Sequence, residues 1–256
     1  MSPTSLTIDL NSDLGEGLGL WPMGDDAALL AIVSSANVAC GFHAGDPSIM
    51  RRMCELAAAA GVTVGAHVAY PDLAGFGRRF IDIAPVELRD CVTYQIGALD
   101  AMARSAGTRV AYVKPHGALY NTIVHHEAQA VAVVQGVCAF GALPIMGLHG
   151  SAVVRHAAGA GLRGVTEAFV DRAYNADGTL VSRQLPGAVL HDVSVIVTRT
   201  VRMATEHRVV AIDGTDIDLG FESLCVHGDT REAVQIAEAV RDALARANVT
   251  LRPFVV

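Results

Sequence analysis

The stretch Val110-Ala-Tyr-Val-Lys114-Pro-His116-Gly117 decides the fold. Its apolar run, 110–113, has the length and β-branched content of a buried strand. Pro115 stops the ladder, and Lys114 and His116 stand where the strand ends. The same arrangement recurs along the chain. Strands are expected at 6–10, 36–39, 62–66, 144–148, 165–170 and 224–226 as well. Asn11 and Asp13 follow the first, His43 and Asp46 the second, His67 and Asp72 the third, and His149 the fifth. Glu167, Asp171 and Arg172 lie within or after the sixth, and His227 and Asp229 follow the seventh. Helical patterns separate the strands. Pro85 opens one, with the stripe Leu88, Cys91, Val92, Gln95, Leu99, Met102, and 230–247 carries another. Parallel strands covered by helices result, and their C-terminal ends open on one face, where chemistry sits. Seven decorated strand ends favour a closed barrel with a crowded mouth over an open sheet. No linker divides the chain, so 1–256 is expected to form one domain, with a small hairpin at 208–220 turning near Asp213-Gly214.

Composition narrows the partners. The 256 residues are 52% hydrophobic, enough for a sizeable core, and 26 acidic against 19 basic residues give a net charge of −7. That balance argues against nucleic acid and, with so apolar a chain, against disorder. The uncharged stretches 27–45 and 128–154 are interrupted by residues such as Asn37, Gln135 and Pro144, so neither reads as a membrane span. The N-terminus lacks the basic start and apolar run of a signal peptide. Five cysteines without a C-x-x-C pair read as reduced thiols, so a cytoplasmic location is expected.

Lys114 is the only lysine; the other 18 basic residues are arginines. A compact ammonium at a strand end suits the neutralisation of a substrate carboxylate or phosphate. The same fact excludes a P-loop, which needs a Gly-Lys pair. The G-x-G-x-x-G match at 159–164 leads into a strand rather than out of one, and no G-x-S-x-G elbow occurs. Asp9-Leu-Asn-Ser-Asp13-Leu-Gly-Glu16-Gly sets three carboxylates and an amide on a strand end and a glycine-rich turn. His43, His67 and His116 occupy three further strand ends. Asp13, His43 and His67 could hold a divalent metal with an open position, or the same groups could form a metal-free acid/base set. Spacing does not separate the two. Cys40 and Cys225 end apolar strands and read as packed thiols. Gly75-Phe-Gly-Arg78-Arg79 reads as a loop able to cover the mouth and grip an anion.

Together these motifs resemble the LamB/YcsF family, the A subunit of bacterial ATP-dependent 5-oxoprolinase. The resemblance rests on DLNSDLGEGLG at 9–19, ANVACGFHAGDP at 36–47, GAHVAYPDLAGFGRR at 65–79, VKPHGALYN at 113–121, EAFVDRAYNADGTL at 167–180 with Arg183, and CVHGDT at 225–230. It spans nearly the whole chain. Ser12 stands where the family usually has Cys, which argues against a nucleophile there; Val68 stands where it usually has Pro, which predicts a looser following loop. The resemblance implies a distorted (β/α) barrel similar to the glycoside hydrolase/deacetylase group, with about seven parallel strands and helices outside. It implies hydrolysis of 5-oxo-L-proline to L-glutamate, with ATP used in a complex with separate B and C subunits.

On that reading Asp13, Glu16, His43, Asp46, His67, Lys114 and His116 are the expected catalytic groups. Lys114 and His116 would face the substrate carboxylate or a transferred phosphate. Asn11, Arg78, Glu167, Arg172 and His227 would bind substrate, with Asp229 orienting His227. A homo-oligomer is compatible with the sequence. Two other classes compete: a metal-dependent amidohydrolase or deacetylase acting alone, and a subunit that binds the lactam without catalysis.

Overall fold

The computed structural model describes residues 6–228 and 232–255. Along the chain run β1 (Leu6–Leu14), α1 (Asp26–Leu30), β2 (Ser35–Ala39), α2 (Pro47–Ala60), β3 (Thr63–Val68), α3 (Pro85–Ser105) and β4 (Val110–Pro115). Then come α4 (Gly117–Thr122), α5 (Glu127–Phe140), β5 (Ile145–Leu148), α6 (Ala152–Gly159), β6 (Gly164–Phe169) and α7 (Val193–Glu206). The chain ends with β7 (Arg208–Val210), β8 (Asp216–Asp218), β9 (Ser223–Val226), α8 (Ala233–Arg246) and β10 (Val249–Leu251). Seven parallel strands, β1 to β6 and β9, pair in sequence, and β9 returns to β1 to close a barrel with the helices outside. β7 and β8 form the expected antiparallel hairpin.

The strands are longer than the apolar runs suggest. β1 continues through Leu14, so Asn11 and Asp13 lie inside it; likewise His67 lies inside β3 and Lys114 inside β4. Ladders on both sides hold the backbone extended past the apolar residues. Val68, buried and paired with Pro115, simply extends β3. Strand β10, three residues around Thr250, pairs with the start of β1 and is too short to be read from pattern.

Alternation along β1 sorts its side chains. Leu10 and Leu14 pack in the main apolar cluster, while Asp9, Asn11 and Asp13 enter a hydrogen-bonded network with side chains of the facing strands. Asp9 accepts hydroxyls from Ser34, Ser35 and Ser223, and Asn11 donates to Ser223 at 2.7 Å. Asn37 donates to Asn11 and Asp13, and Tyr112 donates to Asn37 at 2.6 Å. The Tyr112 ring fits because Gly65 faces it; a Cβ there would lie 2.2 Å from the ring. Tyr112 packs with Met146 and Val165 in a small cluster that Phe254 abuts.

Burial pushes the Asp9 carboxyl up to about 6, against the pull of its three hydroxyl donors. Because the folded state then holds that proton more tightly than the unfolded chain, the group's contribution to stability falls as pH rises from about 4 to 6 and is flat above. Asp9→Asn removes this dependence. The stability of the variant relative to the parent, from urea unfolding, should therefore rise by about 1 kcal/mol between pH 5 and pH 7. A difference independent of pH would contradict the assignment.

Candidate active site

The C-terminal ends of the barrel strands surround a cavity of about 590 Å³. Asp13, Glu16, His67, Lys114 and His116 line it from the β1–β4 side, and Phe169, Arg172 and His227 from the β6–β9 side.

The polar cluster of the first side has forced ring orientations. Nδ1 of His67 contacts the Lys114 carbonyl at 3.0 Å, and Nε2 of His116 contacts the Phe76 carbonyl at 2.9 Å. A carbonyl only accepts, so those two nitrogens carry protons. The opposite nitrogens, His67 Nε2 and His116 Nδ1, then meet at 3.0 Å. Two lone pairs repel at that distance unless a proton or a cation lies between them. Glu16 Oε1 lies 3.4 Å from His116 Nδ1 and 3.1 Å from Nε2 of His43, whose ring stacks on His116 with centroids 3.8 Å apart. Ligand atoms of Glu16, His43, His67 and His116 all lie within 4.8 Å of one another, and all four residues are buried. This donor set suits a divalent transition metal. Glu16 and His116 thus join His43 and His67 of the expected set, and its third member, Asp13, approaches His67 Nε2 at 3.3 Å.

Without a metal, the charges sort themselves. Burial lowers His67, but the Asp13 and Glu16 carboxylates outweigh it and hold the ring above its usual value. Burial and the neighbouring His67 push His43 and His116 well below theirs. Burial would raise Asp13, yet His67 and Lys114 hold it well below the usual carboxylate range.

Lys114 is almost fully buried, and its ammonium is occupied. It donates to Asn11 Oδ1, Asp13 Oδ1 and Cys225 Sγ at 3.1, 3.1 and 3.2 Å and pairs with Glu167 Oε2 at 3.0 Å. Burial alone would lower it, but the Asp13 and Glu167 carboxylates keep it well above its usual value. In this arrangement the ammonium neutralises Asp13 and Glu167 between strands, while Lys114 also lines the cavity where a substrate anion is expected to meet it. Glu167 and Asn11, expected to touch substrate, are held in the same buried network. Burial keeps the Cys225 thiol neutral, its value pushed far up.

On the other side, both oxygens of Asp171 stand 2.8 Å from Nδ1 of His227. Burial opposes ionisation of Asp171, but the His227 ring holds it below the usual range. The imidazole, stacked on Phe169, is thus fixed with Nε2 as the nitrogen available to a ligand. Asp171 therefore orients His227; Asp229, expected in that role, lies outside the described residues.

Two further expected residues are held by backbone groups. Asp46 caps α2, accepting from the Ser48 and Ile49 amides, and also accepts from Gly19, so it belongs to the helix start. Arg172 donates to the carbonyls of Val181 and Ala188, which pins the loop forming one cavity wall. In the 75–79 loop, Arg79 pairs with Asp72, while Arg78 lines the cavity with its guanidinium 4.9 Å from the Phe76 ring. Gly77 lies against His43 and His116, where a Cβ would come within 2.8 Å of both. Ser12 donates to the Val226 carbonyl and is buried in the barrel wall. His149 is exposed and contacts the Gly220 carbonyl. Tyr120 and Arg183 also line the cavity; in the sequence, Tyr120 looks like an ordinary helical aromatic.

Comparison with known proteins agrees with this fold. The LamB/YcsF family profile matches residues 8–256. The chain is 62% identical over 248 residues to the 5-oxoprolinase A subunit of Kocuria rhizophila, covering 96% of this chain and 98% of that one. It is 58% identical to the 5-oxoprolinase A subunit of Streptomyces coelicolor, covering 96% and 99%. Among solved structures, the lactam utilization protein from Thermus thermophilus superposes with a TM-score of 0.93 at 42% identity, covering 97% of this chain and all of that one. A polysaccharide deacetylase from Bacillus cereus shares the barrel fold at a TM-score of 0.52 and 11% identity, covering 97% and 92%.

Proposed function

This chain belongs to the LamB/YcsF family, and from that premise we propose that it is the A subunit of a 5-oxoprolinase. It hydrolyses the cyclic amide of 5-oxo-L-proline to L-glutamate, with ATP and together with B and C partner subunits. Residues 1–256 act as one catalytic barrel. The observation that carries this reading is the pairing, across one cavity, of the Glu16–His43–His67–His116 cluster with the Asp171–His227 dyad.

An amide resists water because its carbonyl is resonance-stabilised and its amine leaves poorly. Phosphoryl transfer from ATP to the lactam oxygen, on the partner chains, removes the first obstacle. The second needs a proton delivered to the ring nitrogen. His227, fixed by Asp171, takes a proton from the attacking water at Nε2 and returns it to the ring nitrogen as the C–N bond breaks, leaving γ-glutamyl phosphate, from which a second water releases phosphate and L-glutamate. Asp13 accepts from the water and orients it, and the cluster beside it balances the charge that develops on oxygen. A divalent metal held by Glu16, His43, His67 and His116 would supply Lewis acidity and a lowered water pKa. Lys114 keeps Asp13 ionised in place, and Arg78 and Arg183 at the mouth meet the substrate's anionic groups.

The metal component is separately testable. The purified chain should carry about one divalent ion, and His116→Ala should weaken its retention at least ~10-fold by elemental analysis after dialysis. If neither chain retains an ion and chelators leave turnover unchanged, the set works metal-free, with the proton on His67 holding the imidazoles together. The whole function is tested by reconstitution: glutamate should form only with ATP and all three subunits. Rapid amide cleavage by the chain alone would instead establish a stand-alone amidohydrolase.

A further inference from the structure

Outside the cavity, the most unusual surface feature is the turn that follows β1. Leu20 is 94% exposed and Trp21 76%, with Leu18 and Met23 partly exposed beside them. Exposed side chains of this size usually sit on loose segments, but this turn is held at several points. Leu18 and Trp21 exchange both backbone hydrogen bonds, at 2.9 and 3.0 Å. The Gly19 amide donates to Asp46 Oδ2, which ties the tip to the start of α2. The turn begins just after Glu16 of the imidazole cluster, and Gly24 packs against the carbonyl of Gly228 at the cavity wall. It therefore stands on the rim of the active site with its apolar tip ordered in advance. Ordering in advance lowers the entropic cost of association, and buried Trp side chains dominate interface energies.

We propose that Leu20 and Trp21 are the anchor by which this chain docks the nucleotide-handling partner subunit over the cavity mouth. The proposal rests on the 5-oxoprolinase reading, under which a phosphoryl group made on another chain must reach this cavity. Charge identifies the occupant. The surface carboxylates around the turn are Asp25, Asp26 and Asp46, since Asp9 and Glu16 are buried and Asp13 is paired with Lys114. Asp25 is exposed and Asp26 half-buried next to the turn, with Arg52 of α2 near enough for Asp26 to feel. Two copies of this chain meeting at the turn would oppose like charges on chains of net charge −7. An anionic membrane is disfavoured for the same reason. The fitting surface is a protein pocket, apolar at its centre and rimmed by basic side chains.

Trp21 is the only tryptophan in the chain, so 5-fluorotryptophan labelling gives a single fluorine resonance that reports on this turn alone. Adding the unlabelled B and C subunits should shift or broaden that resonance, while 5-oxoproline or anionic phospholipid vesicles should not. The double variant Leu20→Ser, Trp21→Ser should keep its melting temperature yet bind the partners at least ~30-fold more weakly. An unperturbed resonance in an assembled, ATP-dependent complex overturns the docking site and leaves the functional reading intact. A resonance that moves with the chain's own concentration, or with vesicles, overturns it in favour of a second copy or a lipid surface. Failure of the chain to assemble or to support glutamate formation overturns the functional reading and this proposal together.

Discussion

Lys114→Met is expected to cost about 3–5 kcal/mol of stability and to abolish glutamate formation. The ammonium lies between Glu167, fully buried, and Asp13, largely enclosed at the cavity wall, and Asn11 turns its amide oxygen toward it. A methionine of similar length fills the space but leaves two carboxylates uncompensated inside the barrel, which is the expensive way to break a buried pair. Adding Glu167→Gln removes one of those charges and should recover much of the lost stability. It should not recover turnover, because Asp13 still lacks the counter-charge that holds it beside His67. Urea unfolding of the single and double variants, with assays on the reconstituted complex, separates the two effects. Unchanged stability in Lys114→Met would show that the pair is not closed in solution.

Asp171→Asn is expected to lower kcat by roughly 10³ to 10⁴ while leaving KM and the fold nearly unchanged. An amide next to His227 Nδ1 presents a donor as readily as an acceptor, so the ring is no longer fixed with its proton on that nitrogen. Nε2 then loses its place as the atom that accepts from water. The loss belongs to the chemical step, since Asp171 is buried behind the ring. A variant that raises KM and spares kcat would make His227 a binding group only.

Much of this arrangement is legible before the structure is known, for a definite reason. Apolar runs of strand length closed by polar residues specify a parallel barrel, and its open face gathers whatever follows each strand. What they do not specify is pairing across the barrel. Asp171 and His227 are 56 residues apart and meet only because β6 and β9 are neighbours. The sole lysine reads only as a substrate contact, because sequence shows its strand position and not the two carboxylates that enclose it. Asp46, directly before Pro47, carries the signature of a helix cap, and local chemistry decides its role there. Glu16 and His116 join the imidazole cluster through a glycine turn and a strand end whose aim no spacing rule fixes.

The central claim is that these side chains, drawn from separate strands, act together on one lactam. The most direct measurement is ATP-dependent glutamate release from 5-oxo-L-proline by the reconstituted complex carrying His67→Ala, once assembly has been verified. The predicted result is a loss of at least ~100-fold relative to the parent complex. Glutamate release at the parent rate would contradict it.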